Sequence, residues 1–365
     1  MRIGMICPYS LTVPGGVQTQ VLGLARALRR KGHACRVLAP CDGPPPDAGV
    51  TPLGLSLPTA ANGSVAPVAP DPSAQLRTIR AMRDEAFDVI HLHEPLAPGP
   101  TTTALLTKPA PMLGTFHMAG RSLSYELLPR VVRYLAGRLD ARVAVSEDAR
   151  TMAQENLGGE YDLLFNAVEL RRYDESPTFE VDEAAGPAVL FVGRHEERKG
   201  LRVLLDAGNL LPPDVRLWIA GEGPETETLK AAFAGDPRIE WLGAISESEK
   251  IARLKAADVF CAPSLHGESF GVVLLEGMAA GTPVVASNIP GYANAARQGS
   301  DAELFAPGDH EALARSLREV LRDQVRRDSL VQSGRERAIE FSMATLADRY
   351  IERYEEMLEN AARRK

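Results

Sequence analysis

The sequence lacks long apolar runs, closely spaced cysteines and an excess of basic residues, and each absence excludes a class of protein. No stretch approaches the ~20 apolar residues that a membrane-spanning helix needs. The four cysteines, Cys7, Cys35, Cys41 and Cys261, are far apart and form no CxxC pair. We expect buried, reduced thiols and a cytoplasmic protein. The net charge of -7 argues against nucleic acid as a general partner.

Two cofactor motifs are also absent. No GxGxxG follows the first predicted strand, and the second strand ends without an acidic residue, so a nicotinamide dehydrogenase is not expected. No DxD motif occurs to hold a metal on a diphosphate. We expect no tightly bound cofactor and no protein metal site, while Mg²⁺ brought by a substrate stays possible. The N-terminal residues 1–8 have the pattern of a strand, not of a signal peptide.

What the sequence has is an alternation of short apolar runs with longer helical patterns, which predicts βαβ units and parallel sheets. A helix is predicted over Val17–Lys31, ending at Gly32, and another over about Met343–Ala361. The Pro- and Gly-rich segment Gly43–Pro72 is expected to be a long loop. The predicted strands are Arg2–Cys7, Cys35–Ala39, Asp88–Leu92, Pro111–Thr115 and Arg142–Val145, then Ala188–Val192, Val215–Ala220, Ile239–Leu242, Asp258–Ala262 and Pro283–Ala286.

This pattern predicts two α/β domains of the doubly wound, Rossmann-like kind. We expect residues 1–170 with the C-terminal helix 343–365 in the first domain and residues 171–342 in the second. The acidic segment 174–187 has no apolar periodicity and is the expected linker. Two such domains would bind ligands in a cleft between them, at the carboxyl ends of their strands.

The strongest local signal lies between two predicted strands of the second half, from His266 to Val285. Glu268 follows one strand, and Gly271 lets the chain approach a ligand before a helix whose opening amides, at Phe270 and Val272, favour phosphate. Glu276 lies just over one turn further along that helix and can reach back to a vicinal diol such as that of a ribose. Two carboxylates beside an anion site suit the hydroxyl groups of a sugar nucleotide.

A charged stretch, Gly193 to Gly200, follows the first strand of the second half. Arg194 can hold phosphate oxygens in a two-pronged contact, and Lys199 can add a compact positive charge to a departing diphosphate. Alternatively, Glu196 and Glu197 pair with Arg198 and Lys199 on a solvated surface.

The first half offers a small-residue turn and several weaker signals. Gly15 and Gly16 precede the first helix, where a sugar or phosphate could approach the backbone. His117 ends a predicted strand and could hydrogen-bond a substrate. His91 and His93 alternate as zinc ligands do, but no third ligand accompanies them. Arginines at helical spacing predict either a membrane-contact helix or a solvated face; they are Arg77, Arg80 and Arg83.

Together these stretches resemble the GT4 family of retaining glycosyltransferases, whose fold is called GT-B. Glu268 and Glu276 have the spacing of its E-x7-E motif, and residues 193–200 resemble its phosphate-binding stretch. The N-terminal half is similar to the phosphatidylinositol mannosyltransferases of actinobacteria through residues 7–10, 14–18, 62–65, 91–95 and 115–117.

The resemblance implies roles for residues in both domains. The first domain would bind the acceptor and the second the nucleotide-sugar donor, with GDP-mannose favoured. The residues implied for the acceptor are Tyr9, Gln18, Asn62, His117 and Arg121. Those implied for the donor are Gly15, Gly16, Arg194, Lys199, Ile245, Lys250, Glu268, Phe270, Gly271, Val272 and Glu276. Of these, catalysis would rest on His117, Arg194, Lys199 and Glu268.

The leading hypothesis is transfer of mannose, with retention, from GDP-mannose to the inositol of a membrane lipid, at the cytoplasmic face of an anionic membrane. Three alternatives remain. One is another GT4 transferase that uses a UDP- or GDP-sugar to make a polysaccharide or a soluble glycoside. Another is a GT-B nucleotide-sugar epimerase, which needs no separate acceptor. The third is a sugar-nucleotide sensor without catalytic activity.

Overall fold

The computed structural model describes residues 1–61, 64–118, 125, 128–180 and 186–363. Its contacts divide the chain into two compact units. Unit 1 consists of Met1–Asn166 and Met343–Lys365, and unit 2 of Ala167–Ser342. Because the C-terminal helix belongs to unit 1, the chain leaves that unit once and returns to it.

The acidic segment that we expected as a linker begins inside unit 2 by its contacts. Phe179 donates its backbone amide to Ala252 O at 3.1 Å and packs its ring against Trp218. These contacts hold this part of the segment to the body of unit 2. Residues 181–185 lie outside the described residues.

Unit 1 is built on a seven-stranded parallel sheet of order β3-β2-β1-β6-β7-β8-β9, accompanied by the antiparallel hairpin β4-β5. The strands are β1 (Arg2–Ile6), β2 (Ala34–Ala39), β3 (Val50–Pro52), β4 (Leu57–Ala61), β5 (Ser64–Val68), β6 (Val89–His93), β7 (Met112–Phe116), β8 (Ala141–Ala144) and β9 (Asp162–Leu163).

Unit 2 is built on a six-stranded parallel sheet of order β12-β11-β10-β13-β14-β15. This is the doubly wound order 3-2-1-4-5-6, whose direction reverses between β10 and β13. The strands are β10 (Ala188–Val192), β11 (Arg216–Ala220), β12 (Ile239–Gly243), β13 (Val259–Ala262), β14 (Val284–Ser287) and β15 (Glu303–Phe305). The α/β prediction of two Rossmann-like sheets is confirmed.

Helices connect most of the parallel strands. In chain order they are α1 (Gly16–Arg30), α2 (Pro72–Glu85), α3 (Pro100–Thr107), α4 (Pro129–Ala136), α5 (Glu147–Leu157), α6 (Leu170–Glu175), α7 (Leu201–Gly208), α8 (Thr226–Ala232), α9 (Glu247–Ala256), α10 (Val272–Ala280), α11 (Pro290–Ala295), α12 (His310–Arg322), α13 (Gln324–Glu340) and α14 (Met343–Arg363). A single 3₁₀ turn, Glu197–Lys199, lies between β10 and α7.

Each sheet is covered by helices through apolar side chains. In unit 1, Met82, Leu105, Val132 and Met152 from α2, α3, α4 and α5 join one buried cluster with the sheet. Helices α1 and α14 pack against each other in the same unit. In unit 2, α7 and α12 contribute leucines to the cluster that contains β10, β11 and β13. Burial of each such side chain contributes about 1.5–3 kcal/mol.

The prediction of a long loop over residues 43–72 is wrong in part, because β3 and the hairpin β4-β5 lie within it. Proline and glycine obscured these short strands. Pro58 and Pro67 face each other across the hairpin, and Pro52 ends the edge strand β3, where no neighbour needs its missing amide. The amide of Ser10 donates to Pro67 O at 2.8 Å, which ties the hairpin to the loop after β1.

The cysteine prediction is confirmed, since Cys7, Cys35 and Cys261 are free and buried, as is Cys41. Burial raises the pKa of the Cys7 thiol to about 12, so this thiol is not a nucleophile at neutral pH. Within the described ranges, no helix has both the length and the apolar character required to cross a bilayer.

Candidate functional site

In unit 2 the predicted donor residues gather at the point where the strand order reverses. The loop after β10 and the loop after β13 begin at neighbouring strands, so they lie side by side at one edge of the sheet. Leu265 donates its amide to Arg198 O at 2.8 Å between these loops. A Cβ at Gly200, whose φ is 66°, would lie 2.0 Å from Pro263 O, so only glycine fits this close approach.

An ion pair at this edge joins the two charged motifs. Lys199 Nζ lies 2.6 Å from Glu268 Oε1, and the two side chains are 21% and 13% exposed. Arg198 adds a longer contact of 3.4 Å to the same oxygen. Glu268 is therefore held between two cations and is partly desolvated, so its carboxylate keeps a fixed position.

Ser264 and Tyr292, which no sequence motif indicated, complete this cluster. Ser264 Oγ donates to Glu268 Oε1 at 3.2 Å, and it lies 2.9 Å from the hydroxyl of Tyr292. Burial, with Glu268 nearby, raises the pKa of Tyr292, which therefore remains a neutral phenol. Arg198 also belongs to this cluster and was not among the predicted site residues. The alternative, in which residues 196–199 pair with one another on a solvated surface, holds only in part. Glu196 pairs with Arg198 and Arg194, whereas Lys199 contacts Glu268.

Arg194 differs from Lys199 in its surroundings. Its side chain is 59% exposed, and its guanidinium lies 3.1 Å from Glu196. Arg194 is not brought into contact with Glu268, so in the described structure it is a solvated cation near the end of β10. Its long side chain leaves it able to turn toward a phosphate.

A second ion pair of unit 2 joins the helices α9 and α10. Lys250 Nζ on α9 lies 2.9 Å from Glu276 Oε1 on α10 and 3.0 Å from Glu247 Oε1. Burial lowers the pKa of Lys250, but Glu276 and Glu247 together outweigh it and raise the value. Lys250 thus stays charged. Ile245 is half-buried and directly precedes Ser246, which caps α9.

The amino end of α10 carries the predicted anion site. Gly271 precedes the helix with φ 85°, and a Cβ there would come within 2.7 Å of the Tyr292 ring. No side chain caps the opening amides at Val272 within the described residues. The side chain of Phe270 is 1% exposed and packs on Phe341, so any contact from Phe270 to a donor would come from its backbone.

In unit 1 the corresponding reversal lies between β1 and β6, and Tyr9 and Gln18 lie in the segment that follows β1. Tyr9 forms an isolated bridge with Val68 of the hairpin, and burial raises the pKa of its hydroxyl. Gln18 is buried, and its side-chain amide donates to Ser10 O at 3.4 Å. A Cβ at Gly15 would meet Gln18, whereas one at Gly16 would meet nothing within 4 Å. Gly16 therefore faces open space at the start of α1.

His117, which directly follows β7, lies against the imidazole of His93, which in turn stacks on His91. Its Nε2 is 2.9 Å from Nδ1 of His93, and His93 stacks on His91 with ring centroids 4.2 Å apart. Both nitrogens of His91 are engaged, by Tyr354 and by Thr115, each at 2.7 Å. The alternative that His91 and His93 are zinc ligands is not supported, because His91 has no free nitrogen.

Glu94, which is not among the predicted site residues, lies directly beside His117. It is buried, adopts φ 46° and precedes a proline, a strained combination for a residue with a side chain. Its Oε1 accepts the backbone amide of His117 at 2.7 Å. Burial raises the pKa of this carboxyl to about 7. The charge state of Glu94 thus depends on pH near neutrality.

Two predicted acceptor residues, Asn62 and Arg121, lie outside the described residues. The described part of the chain contains no group of three or more His, Cys, Asp or Glu side chains suited to a metal ion.

Comparisons with known proteins agree with this geometry. A family model described as "Glycosyltransferase Family 4" matches residues 14–172, and one described as "Glycosyl transferases group 1" matches residues 178–337. A phosphatidyl-myo-inositol mannosyltransferase of Mycobacterium leprae (strain TN) is 40% identical over 97% of this chain and 96% of its own. This chain belongs to glycosyltransferase family 4. It is therefore an enzyme that transfers a sugar, as its motifs predicted.

Further relatives of this family 4 glycosyltransferase support the same assignment. A phosphatidyl-myo-inositol mannosyltransferase of Mycolicibacterium smegmatis (strain ATCC 700084 / mc(2)155) is 36% identical over 97% of this chain and 94% of its own. Among solved structures, the sucrose-phosphate synthase of Thermosynechococcus elongatus matches with a TM-score of 0.76 at 20% identity, covering 99% of this chain and 100% of its own. That likeness shows the fold, and the predicted GT-B class is confirmed.

Proposed function

We propose that this glycosyltransferase moves mannose, with retention of configuration, from GDP-mannose to the inositol of a phosphatidylinositol lipid. The choice of these substrates rests on two kinds of observation. The relatives at 36% and 40% identity are phosphatidyl-myo-inositol mannosyltransferases, which suggests the sugar and the lipid. The Lys199–Glu268 pair at the strand-order reversal supports a bound nucleotide sugar, because it offers a cation and a carboxylate to adjacent parts of one ligand.

The donor would be divided among the charged groups of unit 2. Lys199 has three N–H donors, and Glu268 takes one of them, so two remain for diphosphate oxygens. Arg194 would add further diphosphate contacts, with the amides of Phe270, Gly271 and Val272 at the helix end. Glu268 would then accept hydroxyl protons of the mannose. Glu276 would hold the ribose, with Lys250 and Ile245 near the base.

In the transfer step an acceptor hydroxyl attacks the anomeric carbon on the face from which the diphosphate leaves. The bond from that carbon to the phosphate oxygen breaks, the bond to the acceptor oxygen forms, and the leaving phosphate takes the proton. Lys199 and Arg194 would stabilise the charge that develops on the diphosphate. Tyr9, Gln18, Asn62, His117 and Arg121 would hold the acceptor in place.

The direct test is a donor and acceptor screen with the full chain. Radiolabelled GDP-mannose, UDP-glucose and UDP-galactose are each offered with phosphatidylinositol vesicles or with soluble inositol and oligosaccharides, with and without Mg²⁺. We expect lipid-extractable label from GDP-mannose alone, bound as an α-mannoside. Label only in soluble acceptors would favour a different GT4 transferase, and free sugar of altered configuration formed without acceptor would favour an epimerase.

A lipid acceptor requires contact with a membrane, and helix α2 would supply it. Leu76 and Ile79 are exposed beside Arg80 and Arg83, although both arginines contact Asp84. Arg77 donates to Leu53 O and is tied to the unit. We expect the full chain to sediment with vesicles that contain anionic lipid and to lose most of this binding in the Arg80→Glu/Arg83→Glu variant. Equal binding to neutral vesicles would contradict this contact.

A further inference from the structure

The three imidazoles at the ends of β6 and β7 form one continuous stack. His91 and His93 are two residues apart on a strand, so their side chains leave the same face of the sheet. The ring centroids of His93 and His117 are 5.2 Å apart with an interplanar angle of 30°. At the buried end of the stack His91 is fixed by Tyr354 of α14 and by Thr115, which also contacts Tyr350. The stack therefore has little freedom to rotate.

All three rings are neutral at physiological pH. Burial lowers the pKa of His91 and of His117 to about 3, and it lowers that of His93 well below 6.5, with the neighbouring imidazoles adding to the effect. A neutral imidazole has one N–H donor and one acceptor nitrogen. In the contact of 2.9 Å between His93 Nδ1 and His117 Nε2, one ring must donate and the other must accept.

The surroundings of His93 Nε2 determine which of the two rings donates the hydrogen bond. His93 is 1% exposed, and its Nε2 is buried without a hydrogen-bond partner in the described part of the chain. A proton on Nε2 would be a buried orphan donor, and orphan N–H groups are rarer in folded proteins than unsatisfied acceptors. The proton of His93 is thus better placed on Nδ1, from which it donates to Nε2 of His117.

This choice fixes the tautomer of the second ring. If His117 Nε2 accepts a hydrogen bond, the single proton of neutral His117 resides on Nδ1. His117 is half-buried, and its Nδ1 has no protein partner among the residues that the structure describes. The nitrogen that remains for a ligand then carries a hydrogen.

We infer that His93 is a positioning residue that holds His117 in the Nδ1–H tautomer, so that His117 presents a hydrogen-bond donor to an oxygen of the bound substrate. This inference rests on the proposed function, since it assigns a role to His117 within that site. It also assigns the chemistry of the contact. His117 recognises an oxygen lone pair, on a hydroxyl or a phosphate, and it does not remove the proton of the attacking hydroxyl.

The tautomer can be measured without turnover. Long-range ¹H–¹⁵N NMR of the full chain, labelled with ¹⁵N-histidine, separates protonated from unprotonated ring nitrogens, and the signals of His117 are assigned by their loss in His117→Asn. We expect His117 Nδ1 to have the shift of a protonated nitrogen and Nε2 that of an acceptor. The opposite pattern in the wild-type chain would overturn the inference, whatever the substrate proves to be.

Substitutions at His93 separate positioning from folding. The Asn side-chain amide can replace the Nδ1–H donor, so His93→Asn should keep the His117 tautomer and stay within about threefold of wild-type kcat. His93→Leu cannot donate, so we expect a mixture of tautomers and a kcat about tenfold lower, the loss of one hydrogen bond. Thermal unfolding identifies variants that fail to fold. An unchanged His117 tautomer in folded His93→Leu would contradict the positioning role.

A matched pair at His117 tests which nitrogen serves the ligand. His117→Asn places an amide donor near the former Nδ1, whereas His117→Gln places its amide near the former Nε2. We expect His117→Asn to retain at least about tenfold more kcat/KM than His117→Gln. Higher activity of His117→Gln would show that contact with His93, and not an Nδ1 donor, is what His117 contributes.

Discussion

The ion-pair cluster of unit 2 and the histidine cluster of unit 1 differ in the charge and the burial of their side chains. In unit 2, Lys199–Glu268 and Lys250–Glu276 are ion pairs that remain partly exposed, with side-chain exposures between 13% and 21%. In unit 1 the comparable position holds stacked, neutral imidazoles beside a buried carboxyl of Glu94, whose pKa is raised to about 7. Partly exposed cations such as Lys199 suit an anionic ligand, whereas a buried neutral cluster suits hydroxyl groups. This difference supports the proposal that unit 2 binds the charged donor and unit 1 the uncharged group of the acceptor.

The largest expected effect tests the charged side of this comparison. Glu268→Gln keeps the shape of the side chain but removes the charge that Lys199 contacts at 2.6 Å. We expect kcat to fall about 10²–10³-fold, because the sugar loses an ionised acceptor and Lys199 loses its fixed position. Steady-state kinetics measures the change. The control is Glu227→Gln, an 88% exposed glutamate on α8, which should leave kcat unchanged. Near-normal turnover by Glu268→Gln would contradict the donor site.

A smaller effect separates binding from chemistry within the same unit. Glu276→Gln removes the 2.9 Å ion pair with Lys250 but leaves Glu247 to hold that lysine. Because a ribose contact is the same in the ground state and the transition state, the KM for GDP-mannose should rise about tenfold with kcat nearly unchanged. Glu247→Gln, which keeps the Glu276 pair, is the matched control. A fall in kcat at constant KM would place Glu276 in the chemical step instead.

The last prediction concerns stability in unit 1, not turnover. Because the pKa of Glu94 is raised from 4.5 to about 7, its contribution to stability is complete below pH 4.5 and is lost as the pH rises through 7. Glu94→Gln stays neutral throughout and should gain on the wild type by up to about 3 kcal/mol at pH 8. Thermal unfolding at pH 5 and pH 8 measures the difference in Tm between the two chains.

The Glu94 comparison has a clear contrary outcome. If the difference in Tm between Glu94→Gln and the wild type is the same at pH 5 and pH 8, the carboxyl does not titrate in this range. The histidines act in the opposite direction, since their lowered pKa values give a contribution present above pH 6.5 that is lost on acidification toward pH 3. Both chains contain these histidines, so their effect cancels in the comparison.

The sequence predicted what local periodicity and motif spacing encode. The alternation of apolar runs located ten strands of the two sheets, and the Glu268 and Lys199 motifs fell on neighbouring βα loops because the strands that precede them are adjacent. The hairpin within residues 43–72 was not predicted, because its prolines obscure the sequence pattern of short strands. Arg198, Ser264 and Glu94 escaped for another reason. Their roles depend on contacts across the fold, such as the 3.2 Å hydrogen bond from Ser264 to Glu268, which no local pattern specifies.

Hydrogen–deuterium exchange of the wild-type chain with and without GDP-mannose tests the donor assignment most directly. We predict slower exchange of backbone amides in residues 193–200 and 264–276, which contain both charged motifs and the start of α10. The surface pocket of unit 1 lined by Tyr161, Asp162 and Arg353 should be unaffected and serves as the internal control. Protection confined to that pocket, with none at residues 193–200 or 264–276, would contradict the account.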